Sequence, residues 1–414
     1  MLRRPGIARL GAAGLLSELG DWMLFIALPL FVLQLSGSPL VTATVFVLEL
    51  VPTVLAGPVI GVLVDRYDPW RLMAGVAAVQ ALGLLPLLAV DSADRLWVVY
   101  LVVALESVLG AVIEPCRATT AAALTPQQDL GAVNQLLGVL SSLARLVGAP
   151  LGGLALGLGG IDAVVLADTG TFLATAALLC TGRRPRPGAG APRTRPDVLS
   201  GSLEGLRLLG RTPVLRRVLG IAACTALAQG GFVVLFVLFV VRDLGGDAAD
   251  VGVLRGVQAV GALAGGALLG LVIRRLPAAR LVAGSLFAFG ALSLATWNAP
   301  ALTTASGLYV GLFIAVGLPG LTAMTGLLTL LQAHSPEATR GRVLSTFYAG
   351  YAGVQALGML LAGSTGTGVG LTTALQVQGA LYLLAGALAL RLPRRPAPQT
   401  PDRRPAAAAT VPGD

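Results

Sequence analysis

Long stretches without any charged residue dominate the pattern of this chain. Residues 281–333 contain no Asp, Glu, Lys or Arg, and neither do residues 343–390. A helix of about 20 apolar residues crosses the roughly 30 Å hydrocarbon core of a bilayer, so each stretch is long enough for two crossings. Helix-breaking residues fall where the turn between two crossings is expected, at 298–300 and 363–368. Because the sequence lacks strand-like alternation, the pattern predicts an all-α membrane protein.

The same pattern over the whole chain predicts twelve transmembrane helices. The first apolar stretch is too long for a signal peptide that is removed, and its flank lacks a small-residue cleavage site. The helices are expected near residues 10–35, 40–64, 71–90, 96–118, 133–157, 161–181, 216–241, 249–273, 279–297, 301–331, 342–362 and 370–391.

The amino-acid composition points to the same class of protein. Hydrophobic residues make up 55% of the 414 residues, charged residues only 12%, and the mean hydropathy is +0.83. Soluble proteins carry about a quarter charged residues. We therefore expect neither a soluble enzyme nor a cofactor. A single histidine, His334, and three cysteines also argue against a histidine-based metal site and a disulfide-rich scaffold.

Arginine is the only basic side chain besides that histidine, and its placement orients the predicted bundle. The chain has 29 arginines and a formal net charge of +9. They lie between apolar runs, which favours a bilayer surface over a nucleic-acid partner. They concentrate at the termini, in the stretch 183–217 and in alternate short loops, whereas the other loops are short and contain aspartate. By the positive-inside rule, both termini and the central loop are expected in the cytoplasm.

Two internal repeats divide the chain into similar halves. Residues 57–75 resemble residues 266–284 at a shift of 209, and residues 126–133 resemble residues 336–343 at a shift of 210. We expect two six-helix halves related by a pseudo-twofold axis along the membrane normal, with a substrate site near the midplane between them. The expected organisation is an N-terminal half at 1–182, a cytoplasmic linker at 183–215, a C-terminal half at 216–391 and a disordered cytoplasmic tail at 392–414.

Four short segments of the chain resemble known motifs. Residues 61–71, between helices 2 and 3, and residues 148–153, on helix 5, resemble the loop signature and the glycine-proline antiporter motif of the major facilitator superfamily (MFS) of transporters. Residues 35–40 and 49–52 resemble the branch that contains macrolide-efflux proteins and the enterobactin exporter. The resemblance implies the MFS fold and drug efflux by antiport. Helix 4 departs from many drug–proton antiporters, because it carries Glu106 where they have a membrane-embedded arginine.

The loop signature is expected to gate one side of the protein. Gly57 and Gly61 form a small-xxx-small pattern that allows close helix approach, and Asp65 follows at the helix end. The resemblance implies that Asp65 bonds to the start of helix 11. The alternative is a set of solvated charges that only determine topology. The expected gating residues are Gly57, Gly61, Asp65, Arg66, Arg71, Arg340 and Arg342.

The helix 5 motif predicts a smooth helix face. Gly148, Gly152 and Gly153 have no side chains, and Pro150 removes one backbone hydrogen bond and allows a kink. We expect this face to slide or seal against a helix of the other half. Ordinary helix packing is the alternative reading.

Ionisable residues inside the predicted helices give the sharpest indication of function, because such side chains are costly at bilayer depth. At 1.5 Å per residue, Asp21, Glu49, Glu106 and Arg145 each lie roughly 14–18 Å from one end of their predicted helix. Three acids and one arginine at one depth predict a titrating cluster in which one carboxylate exchanges a proton. The alternative is a static ion pair, for instance between Glu106 and Arg145.

Neighbouring residues extend this candidate cavity. Glu18 shares the helix face of Asp21, while Trp22 and Phe25 either line the cavity or pack in the core. Asp168 and Arg255 lie nearer the outer ends, where an outer gate or a snorkelling side chain is expected as much as substrate contact. The full candidate set is Asp21, Glu18, Glu49, Glu106, Arg145, Trp22 and Phe25.

Together these features predict a bacterial plasma-membrane transporter that exports a small lipophilic compound, such as a drug or antibiotic, in exchange for protons. It is expected to be monomeric, with the small-molecule substrate, protons and the lipid bilayer as partners. The chain has no lysine and therefore no Walker motif, so ATP is not the expected energy source. The alternatives are an exporter of one metabolite such as a siderophore or self-made antibiotic, an importer, a receptor without transport, and sodium as the coupling ion.

Overall fold

The computed structural model describes residues 5–181, 207–271, 276–336, 339–364 and 370–392, and within these ranges the chain is helical without strands. Nine helical stretches there are long and apolar enough to span a membrane. One of them, Leu130–Cys180, has 51 residues and is interrupted by Gly160, whose backbone is left-handed at φ 67°. We treat its two parts, 130–159 and 161–180, as separate helices.

The helices agree with the predicted all-α architecture and are consistent with twelve crossings. In chain order they are α1 (Pro5–Ser36), α2 (Pro39–Arg66), α3 (Pro69–Leu84), α4 (Leu96–Leu124), α5 (130–159), α6 (161–180), α7 (Pro213–Leu238), α8 (Ala248–Leu271), α9 (Ala278–Asn298), α10 (Ser306–Ala333), α11 (Arg340–Ser364) and α12 (Leu371–Ala389). Most of the predicted linker (182–206) and of the predicted tail (393–414) lies outside the described residues, whereas residues 207–211 are helical.

Local sequence signals explain several of the helix boundaries. The Ser38 hydroxyl accepts a hydrogen bond from the Val41 N–H (3.4 Å) at the start of α2, and the Asp68 carboxylate accepts one from the Arg71 N–H (2.9 Å) at the start of α3. A proline follows each of these caps, where its missing N–H costs nothing.

Four predicted helix ends differ from the structure by five or six residues. The α-helical part of α3 ends at Leu84 rather than at residue 90, because a 3₁₀ turn that contains Pro86 follows it. Helix α4 continues to Leu124 rather than ending at residue 118. Helix α1 begins at Pro5 rather than at residue 10, and α10 begins at Ser306 rather than at residue 301.

Helix ends define two sides of the bundle. On what we call the terminus side, the start of α1 meets the end of α4, where Gly6 faces the Leu124 side chain. On the same side, Arg217 at the start of α7 donates a hydrogen bond to the Arg391 carbonyl (2.8 Å), just after α12. The opposite side, which carries the α1–α2 turn at Gly37, is called the distal side.

Helix packing groups α1–α6 and α7–α12. Helix α1 packs mainly on α5, α6 and α2, while α7 packs on α11 and α12, and α9 on α10 and α12. The two groups touch mainly where α5 meets α8 and where α2 meets α11.

The hydrophobic cores show where the two groups are joined. The largest buried cluster contains residues of both groups near the distal side, such as Val32 and Phe239. The other two clusters each belong to one group, around Trp70 in α3 and around Phe347 in α11. The described helices therefore share one core on the distal side and have separate cores toward the terminus side.

Glycine contacts agree with a structure that is closed on the distal side. A Cβ on Gly363 of α11 would lie 2.9 Å from the Leu40 Cα atom of α2, so these two backbones are in close contact. Toward the terminus side, a Cβ on Gly57 of α2 or on Gly341 of α11 would meet no atom within 4 Å. The two helices thus approach closely at their distal ends and have free space at these two positions.

Candidate functional site

A cavity of about 410 Å³ lies within the α1–α6 group and brings the three predicted acids together. Asp21 enters it from α1, Glu49 from α2 and Glu106 from α4. The side chain of Asp21 is exposed to this open space, while Glu49 and Glu106 are half-buried. The other lining residues are Leu24, Phe25, Leu28, Pro29, Val45, Thr53, Gln80, Val103, Ser107, Gly110, Ala111 and Phe172. We call this space the acidic cavity.

Glu106 depends on small and polar neighbours from α3. A Cβ on Gly83 would lie 2.9 Å from Glu106 Oε1, so glycine at this position makes room for the carboxylate. Gln80, one turn earlier, lines the same cavity and is only 2% exposed. Gln80 was not among the predicted cavity residues, although an amide side chain inside an otherwise apolar helix could have indicated it.

Asp168 is a further acid in this region. It is fully buried in α6, where a Cβ on Gly20 of α1 would overlap its carboxylate. The Thr171 hydroxyl donates a hydrogen bond to Asp168 Oδ1 (3.0 Å), whereas Oδ2 is buried without a hydrogen-bond partner. Asp168 is thus neither a snorkelling side chain nor exposed at an outer gate in this structure.

Glu18 does not line the acidic cavity, contrary to expectation. It forms an ion pair with Arg117 of α4, which also pairs with Glu114 (2.7 Å). The error arises because helical periodicity gives the face on which Glu18 lies but not the helix next to that face, which here is α4 with Arg117. The pair joins α1 and α4 on the terminus side of Asp21.

Arg145 and Trp22 also lie elsewhere than predicted. The Arg145 guanidinium carbon is 5.4 Å from the centre of the Trp22 ring, and Nη2 is 3.5 Å from Gln258 Oε1 of α8. Neither residue lines the acidic cavity. Among the ion pairs of the described residues there is none between Arg145 and Glu106, so this example of a static pair is not formed in the structure.

The helix 5 motif packs α5 against two different helices. Gly148 and Gly152 face the backbone of α1 at Leu19 and Met23, and Gly153 faces the Ala248 carbonyl at the start of α8. Pro150 touches α8 as well, since a Cβ on Gly256 would lie 3.0 Å from its Cδ atom. A glycine face does therefore meet a helix of the other group.

The residues of the loop signature are described only in part. An added Cβ on Gly57 would meet no atom within 4 Å, while the surroundings of Gly61 and the side chain of Asp65 lie outside the described part of the chain, so the contact of Asp65 with the start of α11 stays a prediction. Arg66 and Arg71 line an open groove of about 460 Å³ between α2, α3 and α4. The remaining gating candidates, Arg340 and Arg342, are half-buried or exposed in the first turn of α11.

Comparison with known proteins connects this arrangement to transport. The model of a family described as "Transmembrane secretion effector" matches residues 2–411. An uncharacterized MFS-type transporter of Bacillus subtilis, YfiS, is 27% identical over an alignment of 407 positions that covers 94% of this chain and 93% of that protein. The multidrug efflux pump Tap of Mycolicibacterium fortuitum is 26% identical, with 92% and 94% covered. Macrolide efflux protein A of Streptococcus pyogenes is 23% identical, with 65% and 67% covered.

A solved structure supports the same fold. A bacterial homologue of the iron transporter ferroportin, in an inward-facing state, superposes with a TM-score of 0.69 over 95% of this chain and 99% of that one. At 17% identity, this similarity concerns the fold alone.

Proposed function

The chain belongs to the transmembrane secretion effector family of MFS transporters, and we propose that it exports small lipophilic compounds in exchange for protons. The observation that carries this proposal is the convergence of Asp21, Glu49 and Glu106 on one cavity inside the bundle. The efflux activity that two relatives bear in their names supports export. Because the acidic cavity is formed by one chain, we propose that the monomer is sufficient.

We place the terminus side in the cytoplasm of a bacterial cell, across the plasma membrane. The arginines of the termini and central stretch support this orientation through the positive-inside rule. With that orientation, the structure represents a state closed toward the outside and open toward the cytoplasm. The groups α1–α6 and α7–α12 then act as two halves that rock against each other along the α5–α8 and α2–α11 contacts.

The acidic cavity provides a route for exchange of protons against substrate. In the cytoplasm-open state, an acid such as Asp21 is exposed to the cavity and can release its proton there. The resulting carboxylate attracts a cationic or neutral polar group of the substrate. After the halves rock outward, a proton from the more acidic exterior neutralises the carboxylate, and the substrate is displaced. Because the acids lie close together, their titrations are coupled, so proton uptake by one acid changes the proton affinity of the others.

Accumulation of fluorescent lipophilic cations and neutral dyes in intact cells tests this function. Cells that express the protein should retain less dye than cells with the empty vector. The difference should disappear when a protonophore collapses the proton gradient. Equal retention for every dye would contradict drug export, and efflux that survives the protonophore would contradict proton coupling. Replacement of external sodium by potassium is the control that separates sodium from proton exchange.

A further inference from the structure

Two arginines from the two helix groups meet where α5 crosses α8. Arg145 Nη2 and Arg255 Nη1 lie 3.5 Å and 3.0 Å from the same atom, Gln258 Oε1. The crossing is tight, because a Cβ on Gly256 would lie 3.0 Å from the Leu146 carbonyl oxygen. The residue next to each arginine therefore belongs to the helix contact, which holds the two guanidinium groups close together.

We call Arg145, Arg255 and Gln258 the arginine cluster, and the described residues bring no carboxylate into ion-pair contact with it. Among the described residues, no carboxylate oxygen lies within 4.0 Å of Arg145 or Arg255. Gln258 is only 6% exposed, and its Nε2 atom is buried without a hydrogen-bond partner, as is Arg145 Nε. Two positive charges that share one neutral acceptor inside a membrane are costly, and the unused N–H donors add to that cost.

Aromatic rings lie next to the guanidinium groups of both arginines. The Arg145 guanidinium lies 5.4 Å from the centre of the Trp22 ring, and that of Arg255 lies 5.6 Å and 5.2 Å from those of Phe25 and Phe232. Cation–π attraction offsets part of the burial cost but supplies no negative charge. Phe25 also lines the acidic cavity, so the arginine cluster borders that cavity.

We propose that Arg145, Arg255 and Gln258 bind the carboxylate of an aromatic, amphiphilic substrate. Guanidinium groups match a carboxylate with paired, charge-assisted hydrogen bonds, and the Gln258 amide N–H group offers a further donor. Trp22, Phe25 and Phe232 would contact the apolar ring of the same molecule. The inference deepens the proposed export function, on which its physiological meaning rests, and adds acidic aromatic compounds to the substrates.

The rival explanation is that the arginines only balance the charge of Glu49. Glu49 of α2 interacts with Arg255 electrostatically, although the two are not within ion-pair distance in this structure. If the cluster is an anion site, Glu49→Gln removes a competing negative charge, and carboxylate binding should be retained or strengthened. If Glu49 is instead the partner of the arginines, Glu49→Gln should weaken carboxylate binding as much as loss of an arginine does.

Direct binding to the purified, full-length protein tests the site without any gradient. The probes are dansylglycine and its methyl ester, which share the aromatic ring and differ in the carboxylate. Energy transfer from tryptophan to the dansyl group reports binding. The variants are Arg145→Gln and Arg255→Gln, with Arg242→Gln as a matched control, because Arg242 is an exposed arginine at the distal end of the segment that follows α7.

We expect the wild-type protein and Arg242→Gln to bind the acid about tenfold more tightly than the ester, as for a charge-assisted hydrogen-bonded pair. Arg145→Gln and Arg255→Gln should each lose that preference while ester binding is unchanged. The lysine variants at both positions should keep part of it, which shows that the protein is folded. Equal affinity of the wild-type protein for acid and ester, or parallel loss of both, would overturn the site. So would equal weakening by Glu49→Gln.

This result is independent of the proposed function. If the protein binds the acid more tightly than the ester but exports no compound from cells, the anion site is supported and the proposed export is contradicted. If the protein exports cationic dyes but binds the acid and the ester equally, export is supported and the anion site is contradicted. Competition by phosphatidylglycerol as strong as that by dansylglycine would assign the arginines to a lipid headgroup and overturn the proposed substrate class.

Discussion

Gly153 of α5 lies against the backbone carbonyl of Ala248 at the start of α8, so that the two helices touch where the distal side is closed. Any side chain at position 153 would overlap that carbonyl, which explains why the helix 5 motif requires glycine here.

Gly153→Ala should therefore slow transport by forcing α5 and α8 apart. Overpacking of this kind costs about 1–3 kcal/mol, which is enough to shift the balance between the two open states. Initial efflux rates in proteoliposomes provide the measurement. Gly157→Ala on the same helix is the matched control, because its Cβ would meet no atom within 4 Å. Equal rates for both variants would show that the close contact is not needed for transport.

Gly20→Ala should destabilise the protein through Asp168. The added methyl group would collide with the Asp168 carboxylate, at an expected cost of about 1–3 kcal/mol. The thermal unfolding midpoint of the purified protein should fall, whereas Gly75→Ala in α3, which meets open space, should leave it unchanged. Asp168→Ala should relieve the collision, so the double variant should unfold above Gly20→Ala alone. Strict additivity of the two changes would contradict direct contact.

The ion pair between Glu18 and Arg117 should contribute more to stability than the pair between Asp91 and Arg95. The Glu18 and Arg117 side chains are 24% and 14% exposed, against 72% and 52% for Asp91 and Arg95. Breaking a fully buried pair costs about 3–5 kcal/mol and exposed pairs contribute about 0–1 kcal/mol, so the half-buried Glu18–Arg117 pair should fall between these limits. Arg117→Gln should lower the unfolding midpoint clearly and Arg95→Gln hardly at all. Similar midpoints for the two variants would contradict the assigned burial.

The orientation of the chain can be measured by cysteine labelling. In a variant without the three native cysteines, a cysteine at position 200 should react with a membrane-impermeant reagent only after the cells are opened. A cysteine at position 92, in the turn before α4 on the distal side, should react in intact cells. The reverse pattern would invert the proposed topology and, with it, the direction in which the structure is open.

The helices and the acids of the cavity could be predicted because each depends on local information. Uncharged, apolar runs of about 20 residues indicate membrane crossings, and the depth of a residue in the membrane follows from the rise per residue of the helix. Asp21, Glu49 and Glu106 were therefore identified at similar depths, and the structure brings them to one cavity.

The partners of the buried charges could not be predicted, because they depend on which helices are neighbours and how they are rotated. Arg145 meets Gln258, 113 residues away along the chain, instead of an acid on the adjacent helix. Glu18 meets Arg117 of α4, 99 residues away along the chain, instead of lining the acidic cavity. Periodicity gives the face of a helix but does not identify the helix that it faces.

Proton coupling by a carboxylate of the acidic cavity is the step on which the proposed export depends most. Asp21→Asn, Glu49→Gln and Glu106→Gln keep the shape of each side chain and remove its titration. The most direct measurement follows uphill substrate efflux and proton flux together in vesicles reconstituted with each variant. At least one variant should lose both fluxes while it still binds substrate, because binding and proton release are separate steps. Wild-type rates of uphill efflux and proton flux in all three variants would contradict proton coupling by the acids of this cavity.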